Sequence, residues 1–312
     1  MVFLCRSRHC PVVILGLTLL LTGAVPGQEI RVIKTTATKT SLDLTALVPG
    51  GTGAAAEFRR VLEADLARSG WFALAAPAAF TVSGSATETG GQLEVRCQVL
   101  NVARAETVLN KVYRHRRDDA RHLAHLVADE IIFAIKGIRG INAGRIVMVG
   151  RRDGAKELFI CDADGGNLRQ LTRDGSISLA PTWAPDGKAI VYTSLKSRFP
   201  DVYLIDLRTM TRTCIASYPG LNMAGAFSPD GRRLALVLSK DGNPEIYVLT
   251  VATGVLRRLT RHAGIDTDPT WAPSGRQIAF VSDRMGSASI FVMDTEGANV
   301  RQLTSGGYHT QP

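Results

Sequence analysis

TWAPDGKAIVYTS at residues 182–194, AFSPDGRRLALVLS at 226–239 and TWAPSGRQIAFVSD at 270–283 decide how this chain is read. Their aromatic residues, Trp183, Phe227 and Trp271, stand 44 residues apart, and self-similarity at a fixed period of that size marks a repeat architecture. A second motif keeps the same step: ELFICDADGGNLRQLT, DVYLIDLRTMTRTCIA, EIYVLTVATGVLRRLT and SIFVMDTEGANVRQLT begin at Glu157, Asp201, Glu245 and Ser289. Two unrelated motifs sharing one period leave little room for coincidence.

Inside each unit, short apolar or alternating runs are broken by turn pairs such as Asp186-Gly187, Asp230-Gly231 and Gly165-Gly166. That is the pattern of antiparallel hairpins, and each unit reads as about four strands. One such sheet cannot cover both of its faces, so neighbours must stack as the blades of a β-propeller do, with the aromatics at 183, 227 and 271 packing between blades. Counting from Gly144, the first unit lacks a Trp-Ala-Pro strand and three full units follow. The closing Thr310-Gln311-Pro312 matches Thr267-Asp268-Pro269, where a further blade would begin. Because open sheet edges are templates for pairing, the sequence is expected to be a truncated propeller over 141–312, missing about two blades of the same period.

Residues 28–140 show no repeat and mix element types. Strands are expected at Arg31–Ile33, Leu42–Val48, Phe80–Ser85, Leu93–Asn101 and Thr107–His115, with helices at Ala54–Arg68 and Asp119–Lys136. The second helix carries Leu123, Leu126, Val127, Ile131 and Ile135 on one stripe, an aspartate before it and Gly137 just past its end, which describes an amphipathic helix on a sheet and so an α/β domain.

Ahead of that domain, Arg6, Arg8 and His9 precede an apolar run from Pro11 to Leu21 and a small-residue stretch to Gly27. This is the layout of a secretory signal over 1–27, with cleavage expected near Gly27-Gln28. An uncleaved anchor is the competing reading, but the run is shorter than the roughly 20 residues that span a bilayer. Cys5 and Cys10 both precede the run, where neither could carry a lipid at the cleavage point, so no direct membrane insertion is expected after cleavage. The 37 basic residues exceed the 28 acidic ones, yet they are spread thinly over both halves instead of forming the basic stripe that nucleic-acid binding leaves. Cys97, Cys161 and Cys214 each sit in an apolar run and are expected as buried thiols, a Cys161–Cys214 bridge being the alternative.

The exported start, the small α/β domain ending in VADEIIFAIKGIRG at 127–140, and the WAPDG and FSPDG repeats behind it resemble the TolB family, periplasmic propeller proteins of the Tol-Pal envelope system. The resemblance runs from Glu29 to Pro312. It implies a six-bladed propeller, of which about four blades are present here, acting as a protein-binding adaptor. The implied partners are the peptidoglycan-associated lipoprotein Pal and the inner-membrane protein TolA, and the implied role is outer-membrane integrity and constriction during cell division. The family's N-terminal recognition segment for TolA corresponds to Glu29, Ile30, Arg31, Val32 and Ile33. The Pal surface corresponds to loops leading into the blades, at Asn222, Ala224, Thr267 and Asp268. Such loops feed the innermost strands and surround the central channel, where one partner touches several blades at once; the bland alternative is that they are only turns.

Several chemical motifs are weighed and set aside, so no catalytic residue, metal or cofactor is expected. Gly51-Thr52-Gly53-Ala54-Ala55-Ala56 mimics a dinucleotide loop, but no acid lies between Asp65 and Glu88 to take the ribose. Asp162-Ala163-Asp164-Gly165 resembles a calcium loop, but its glycine comes early and Arg173 stands in the place of the closing glutamate, so a β-turn is expected. His122, His125 and Asp129 share a helix face and could bind zinc, although a solvated face is the simpler reading. No G-x-S-x-G, Walker loop or H-E-x-x-H occurs. A function of another class stays open: similar blades precede the α/β-hydrolase domain of exported serine peptidases, and a G-x-S-x-G elbow beyond Pro312 would reveal one.

Overall fold

The computed structural model of the chain describes residues 2–4, 38–51, 53–310 and 312. Of the expected leader, only the backbone of Val2–Leu4 falls within that set; Glu29, Ile30, Arg31, Val32 and Ile33 lie outside the described residues. The chain divides into two compact units, one within Cys10–Gly144 and the other within Arg145–Pro312, joined there by the strand at Val2–Leu4.

The first unit is an α/β sandwich. Strands β2 (Thr40–Asp43), β3 (Leu47–Pro49), β4 (Phe72–Leu74), β5 (Phe80–Thr89), β6 (Gln92–Asn101) and β7 (Glu106–Arg116) form one six-stranded sheet in the order β4-β2-β5-β6-β7, with β3 also pairing β5. The strand expected over Leu42–Val48 is therefore two short strands. Asp43 Oδ1 accepts the Thr45 amide at 2.8 Å and Arg59 Nη1 donates to the carbonyls of Leu44 and Leu47, which together hold the chain in a turn between them.

Helices α1 (Ala54–Arg68) and α2 (Ala120–Lys136) both cover one face of this sheet. Phe58, Leu62 and Leu66 of α1 and Leu123, Val127 and Ile131 of α2 close over Val82, Leu93, Val95 and Val99, each such side chain contributing about 1.5–3 kcal/mol on burial. Helix α2 ends where Gly137, at φ 70, turns left-handed and its amide reaches the Phe133 carbonyl at 2.8 Å.

The second unit is a row of four sheets. The first contains β1 (Val2–Leu4), β8 (Arg145–Arg152), β9 (Ala155–Asp162) and β10 (Arg169–Gln170). The next three repeat one plan: β11 (Ser178–Trp183), β12 (Ala189–Ser194), β13 (Asp201–Asp206), β14 (Arg212–Ala216); then β15 (Asn222–Phe227), β16 (Arg233–Leu238), β17 (Glu245–Thr250), β18 (Leu256–Arg258); then β19 (Asp266–Trp271), β20 (Gln277–Ser282), β21 (Ser289–Asp294), β22 (Arg301–Gln302). Every neighbouring pair is antiparallel. In the first sheet, which lacks its own Trp-Ala-Pro strand, β1 takes the place beside β8 with Phe3 opposite Val147.

The repeat aromatics occupy equivalent places. Trp183 pairs Ile190, Phe227 pairs Leu234 and Trp271 pairs Ile278, each at the end of an inner strand after a β-bulge. Three apolar cores lie between consecutive sheets, and each holds one of these rings. Arg145 lies 5.1 Å over the Trp183 ring and Arg233 4.6 Å over Trp271, while at the intervening junction Ala189 packs in the core of the smaller Phe227. The Trp271 indole also donates to the Ala226 carbonyl of the preceding sheet at 3.0 Å.

The rest of the W-x-P-D-G motif is explained by the same junctions. Gly231 adopts φ 71, and a Cβ there would meet Cδ of Pro185 at 3.6 Å; Gly275, at φ 69, meets Pro229 in the same way. The proline of one blade thus packs on the turn glycine of the next.

Candidate functional site

Strand direction settles which loops lie together. Each inner strand runs away from the loop that feeds it, and the second strand returns, so the loops at 173–177, 217–221 and 261–265 share one side with the loops at 195–200, 239–244 and 283–288. The PDG turns lie on the opposite side. The four residues expected on the Pal surface, Asn222, Ala224, Thr267 and Asp268, all fall at the beginnings of β15 and β19, on the first side.

They are not equally available. Asn222 is fully buried, and its amide is committed to its own loop: it accepts from the Tyr218 amide at 2.9 Å and donates to the carbonyls of Tyr218 at 2.7 Å and Gly220 at 3.3 Å. Ala224 is also buried, its amide bonded to Thr193 Oγ1 of the preceding blade at 2.9 Å. These two residues shape the loop. Thr267 is half-buried and Asp268 exposed, and they carry the presentable chemistry of the set.

Asp268 sits in the bulge of β19 with φ 49, a left-handed conformation that costs a non-glycine residue energy and is held only where the surroundings enforce it. The next residue, Pro269, is buried and packs over Gly225 of the neighbouring blade. Asp266, one residue before Thr267, is buried and bound by Arg284 Nη2 at 3.0 and 2.9 Å. Thr267 and Asp268 are therefore displayed from a rigid support.

Two features at this mouth repeat with the blades and went unread in the sequence. Ile177, Leu221 and Ile265 stand 44 residues apart just before the inner strands; Ile177 and Ile265 are exposed and Leu221 half-buried. Lys196, Lys240 and Arg284 keep the same phase and lie over Tyr203 at 4.0 Å, Tyr247 at 5.4 Å and Phe291 at 5.0 Å. Comparing the repeats position by position outside the two motifs would have found both. Around Tyr247, burial and the hydrogen bond to Asp241 at 2.6 Å push the phenol up, while Lys240 and then Tyr247 hold the Asp241 carboxyl below its usual range.

The motifs weighed for small-molecule chemistry take structural places. At the glycine-rich loop, Glu88 Oε1 accepts the Ala55 amide at 3.0 Å, so a carboxylate from β5 fills the anion position at the N-terminus of α1. Asp162 starts a β-turn closed by the Gly165 amide at 2.9 Å, with Asp164 Oδ1 taking the Gly166 amide. The Gly297 amide closes the same turn on the Asp294 carbonyl at 3.1 Å, while at Asp206 the side-chain Oδ1 takes the Arg208 and Thr209 amides instead. His125 is not on a solvated face. It is buried and its Nδ1 lies 2.5 Å from Asp65 Oδ2, because α1 packs alongside α2 and widens the covered stripe. Asp129 instead takes the amides of Asn142 and Ala143, and His122 is exposed, so the three do not gather around one point.

Cys97, Cys161 and Cys214 are all free thiols, and the alternative Cys161–Cys214 bridge does not form. Cys97 and Cys161 are buried, whereas Cys214 is exposed because β14 is the outermost strand of its sheet. Among the described residues, no helix is long and apolar enough to cross a membrane.

Comparison with known proteins places this architecture. Residues 133–312 match the family described as the TolB beta propeller domain. The chain is 38% identical over 146 residues to the Tol-Pal system protein TolB of Desulfosudis oleivorans, covering 47% of this chain and 33% of that protein. It is 31% identical over 226 residues to the Legionella pneumophila protein of the same name, covering 65% of this chain and 54% of that one. The chain thus spans a third to a half of the length of these relatives. The crystal structure of TolB from Acinetobacter baumannii is similar over 88% of this chain and 74% of that one, at 31% identity and a TM-score of 0.78. That match is long enough to take in most of the α/β unit as well as the blades. The chain belongs to the TolB β-propeller family.

Proposed function

We propose that this protein is a periplasmic, non-enzymatic adaptor of the Tol-Pal envelope system that binds a Pal-like peptidoglycan-associated lipoprotein at the mouth of its propeller. In this reading the segment Glu29–Ile33, outside the described residues, is offered to a TolA-like inner-membrane protein. The two contacts together support outer-membrane integrity and constriction at division.

The observation that carries the reading is the mouth itself. Inner strands from successive blades begin side by side, Thr267 and Asp268 are held out on a braced bulge, and apolar Ile265, in the loop leading to them, and Ile177, two blades earlier, stand exposed on the same side. A surface that combines rigid backbone, apolar patches and a polar rim suits a protein partner, because little freedom is lost when it binds.

Titration calorimetry with the soluble domain of a Pal-like lipoprotein tests it. Thr267→Arg is expected to weaken binding at least about tenfold, since a long charged side chain would stand in the contact, while the unfolding midpoint stays put. Unchanged affinity would move the partner surface elsewhere.

A further inference from the structure

We propose that the open face of the α/β unit binds an acidic saccharide, a hydroxylated ring bearing a carboxylate or phosphate, in the cleft between the β5–β6 hairpin and the end of β7. The cleft has a volume of about 400 Å³ and is lined by Thr87, Thr89, Gln92, Glu94 and Arg114. That is within the range of small-molecule sites.

The lining follows from the sheet register. Both helices cover the other face, so this one displays its side chains to solvent in rows across three strands. Thr87, Glu94 and Arg114 stand opposite one another in one row, and Thr89, Gln92 and Arg116 in the next. Gly90 and Gly91, at φ 59 and 78, make the tight turn that brings Thr89 and Gln92 together, and the Arg117 amide fastens the turn to the end of β7 through the Gly91 carbonyl at 3.0 Å.

Glu94 holds two guanidinium groups, Arg114 from the cleft lining and Arg96 from the adjoining row opposite Ser85 and Val112. Arg114 Nε lies 2.8 Å from Glu94 Oε2 and Arg96 Nε lies 3.0 Å from Oε1, so one carboxylate grips both arginines by their Nε atoms. The side chains of Arg114 and Arg96 stay 71% and 66% exposed, and each meets Glu94 through Nε, an edge of the guanidinium distinct from its Nη pair. A planar fork of this kind matches a carboxylate or phosphate. Arg114 and then Arg96 keep the Glu94 carboxyl below its usual range, so the clamp remains ionised at neutral pH.

The chemistry of the lining narrows the ligand. No aromatic side chain lines the cleft, so a base finds no ring there to stack on. A bare anion would use the arginines and leave the exposed Thr87 and Thr89 hydroxyls and the Gln92 amide to water. Sugar hydroxyls donate to a carboxylate and exchange hydrogen bonds with hydroxyl and amide groups. A sugar that also carries an acid satisfies both halves of the cleft.

Amide-shift titrations of the full chain with galacturonic acid, glucose 6-phosphate, galactose and inorganic phosphate test the proposal. Saturable shifts at Thr87, Thr89, Gln92 and Arg114 are expected with at least one acidic sugar, and the stronger of the two identifies the acid group. Galactose and inorganic phosphate should bind at least about tenfold more weakly. Arg114→Ala should abolish the shifts with its unfolding midpoint unchanged, because exposed ion pairs contribute little to stability. Glu94→Gln is the sharper variant: a saccharide site loses its hydroxyl acceptor and its clamp and binds more weakly, whereas a mere cationic patch binds anions better. The proposal is overturned by no saturable shift with either acidic sugar, by equal binding of phosphate alone, by full binding in Arg114→Ala, or by tighter binding in Glu94→Gln.

Discussion

Gly225 stands where a side chain has no room, since a Cβ there would lie 2.4 Å from the Ala235 carbonyl oxygen and 2.8 Å from Cγ of Pro269 on the next blade. Gly225→Ala is therefore predicted to destabilise the propeller by about 1–3 kcal/mol, measured as a lowered urea midpoint at unchanged slope. The neighbouring blades have proline at this phase, Pro181 and Pro269, so the sequence records that the position is special without saying which neighbour crowds it. Cys97 is a second single-residue case. Burial, and then Glu130, push its thiol up to about 12, leaving about one thiolate in ten thousand at pH 8. Iodoacetamide at that pH should leave Cys97 unmodified in the folded chain and label it only after unfolding; rapid native labelling would show that the site opens. Residue roles were the least legible level. Asn222 looks like a surface contact in the sequence and His125 like a solvated face, because neither the turn that takes up the Asn222 amide nor the second helix that covers His125 leaves a mark at those positions.

At the scale of elements, the blade is a unit whose core lies between sheets instead of inside one. Trp271 shows this best: it ends an inner strand, sits in the core shared with Ala235, Val237 and Ile246 of the preceding blade, and carries Arg233 on its ring. Trp271→Ala is predicted to cost about 3–5 kcal/mol, and Arg233→Ala about 0.5–1 kcal/mol for the ring contact. A double-mutant cycle should return coupling between the two, and additive losses would mean the arginine does not use the ring. These elements were legible because periodicity and turn glycines are local signals: both helices of the α/β unit begin and end within a residue of expectation. The short strands β3 and β4 were not, since three residues are too few to show alternation and their pairing is with β5 and β2, far along the chain or across a helix. The buried Asp65–His125 contact likewise joins two helices 60 residues apart. Asp65→Ala, which removes one partner of that contact, should destabilise the α/β unit by about 1–3 kcal/mol, seen as a fall in its melting midpoint.

At the scale of the whole molecule, the blade repeat places one end of every inner strand at a common mouth, and the sequence alone was enough to say so from Trp183, Phe227 and Trp271. What it could not say was which side chains remain available there, because that depends on how each loop spends its own hydrogen bonds. Of the four residues expected at Asn222, Ala224, Thr267 and Asp268, the last two are accessible, and Ile177 and Ile265 are exposed on the same side. The direct measurement is hydrogen–deuterium exchange of the chain with and without the soluble domain of a Pal-like lipoprotein. The account predicts slowed exchange in peptides covering 173–179 and 261–268, with the turns at 184–188 and 228–232 unchanged. Slowed exchange confined to those turns, or none at either place, would contradict it.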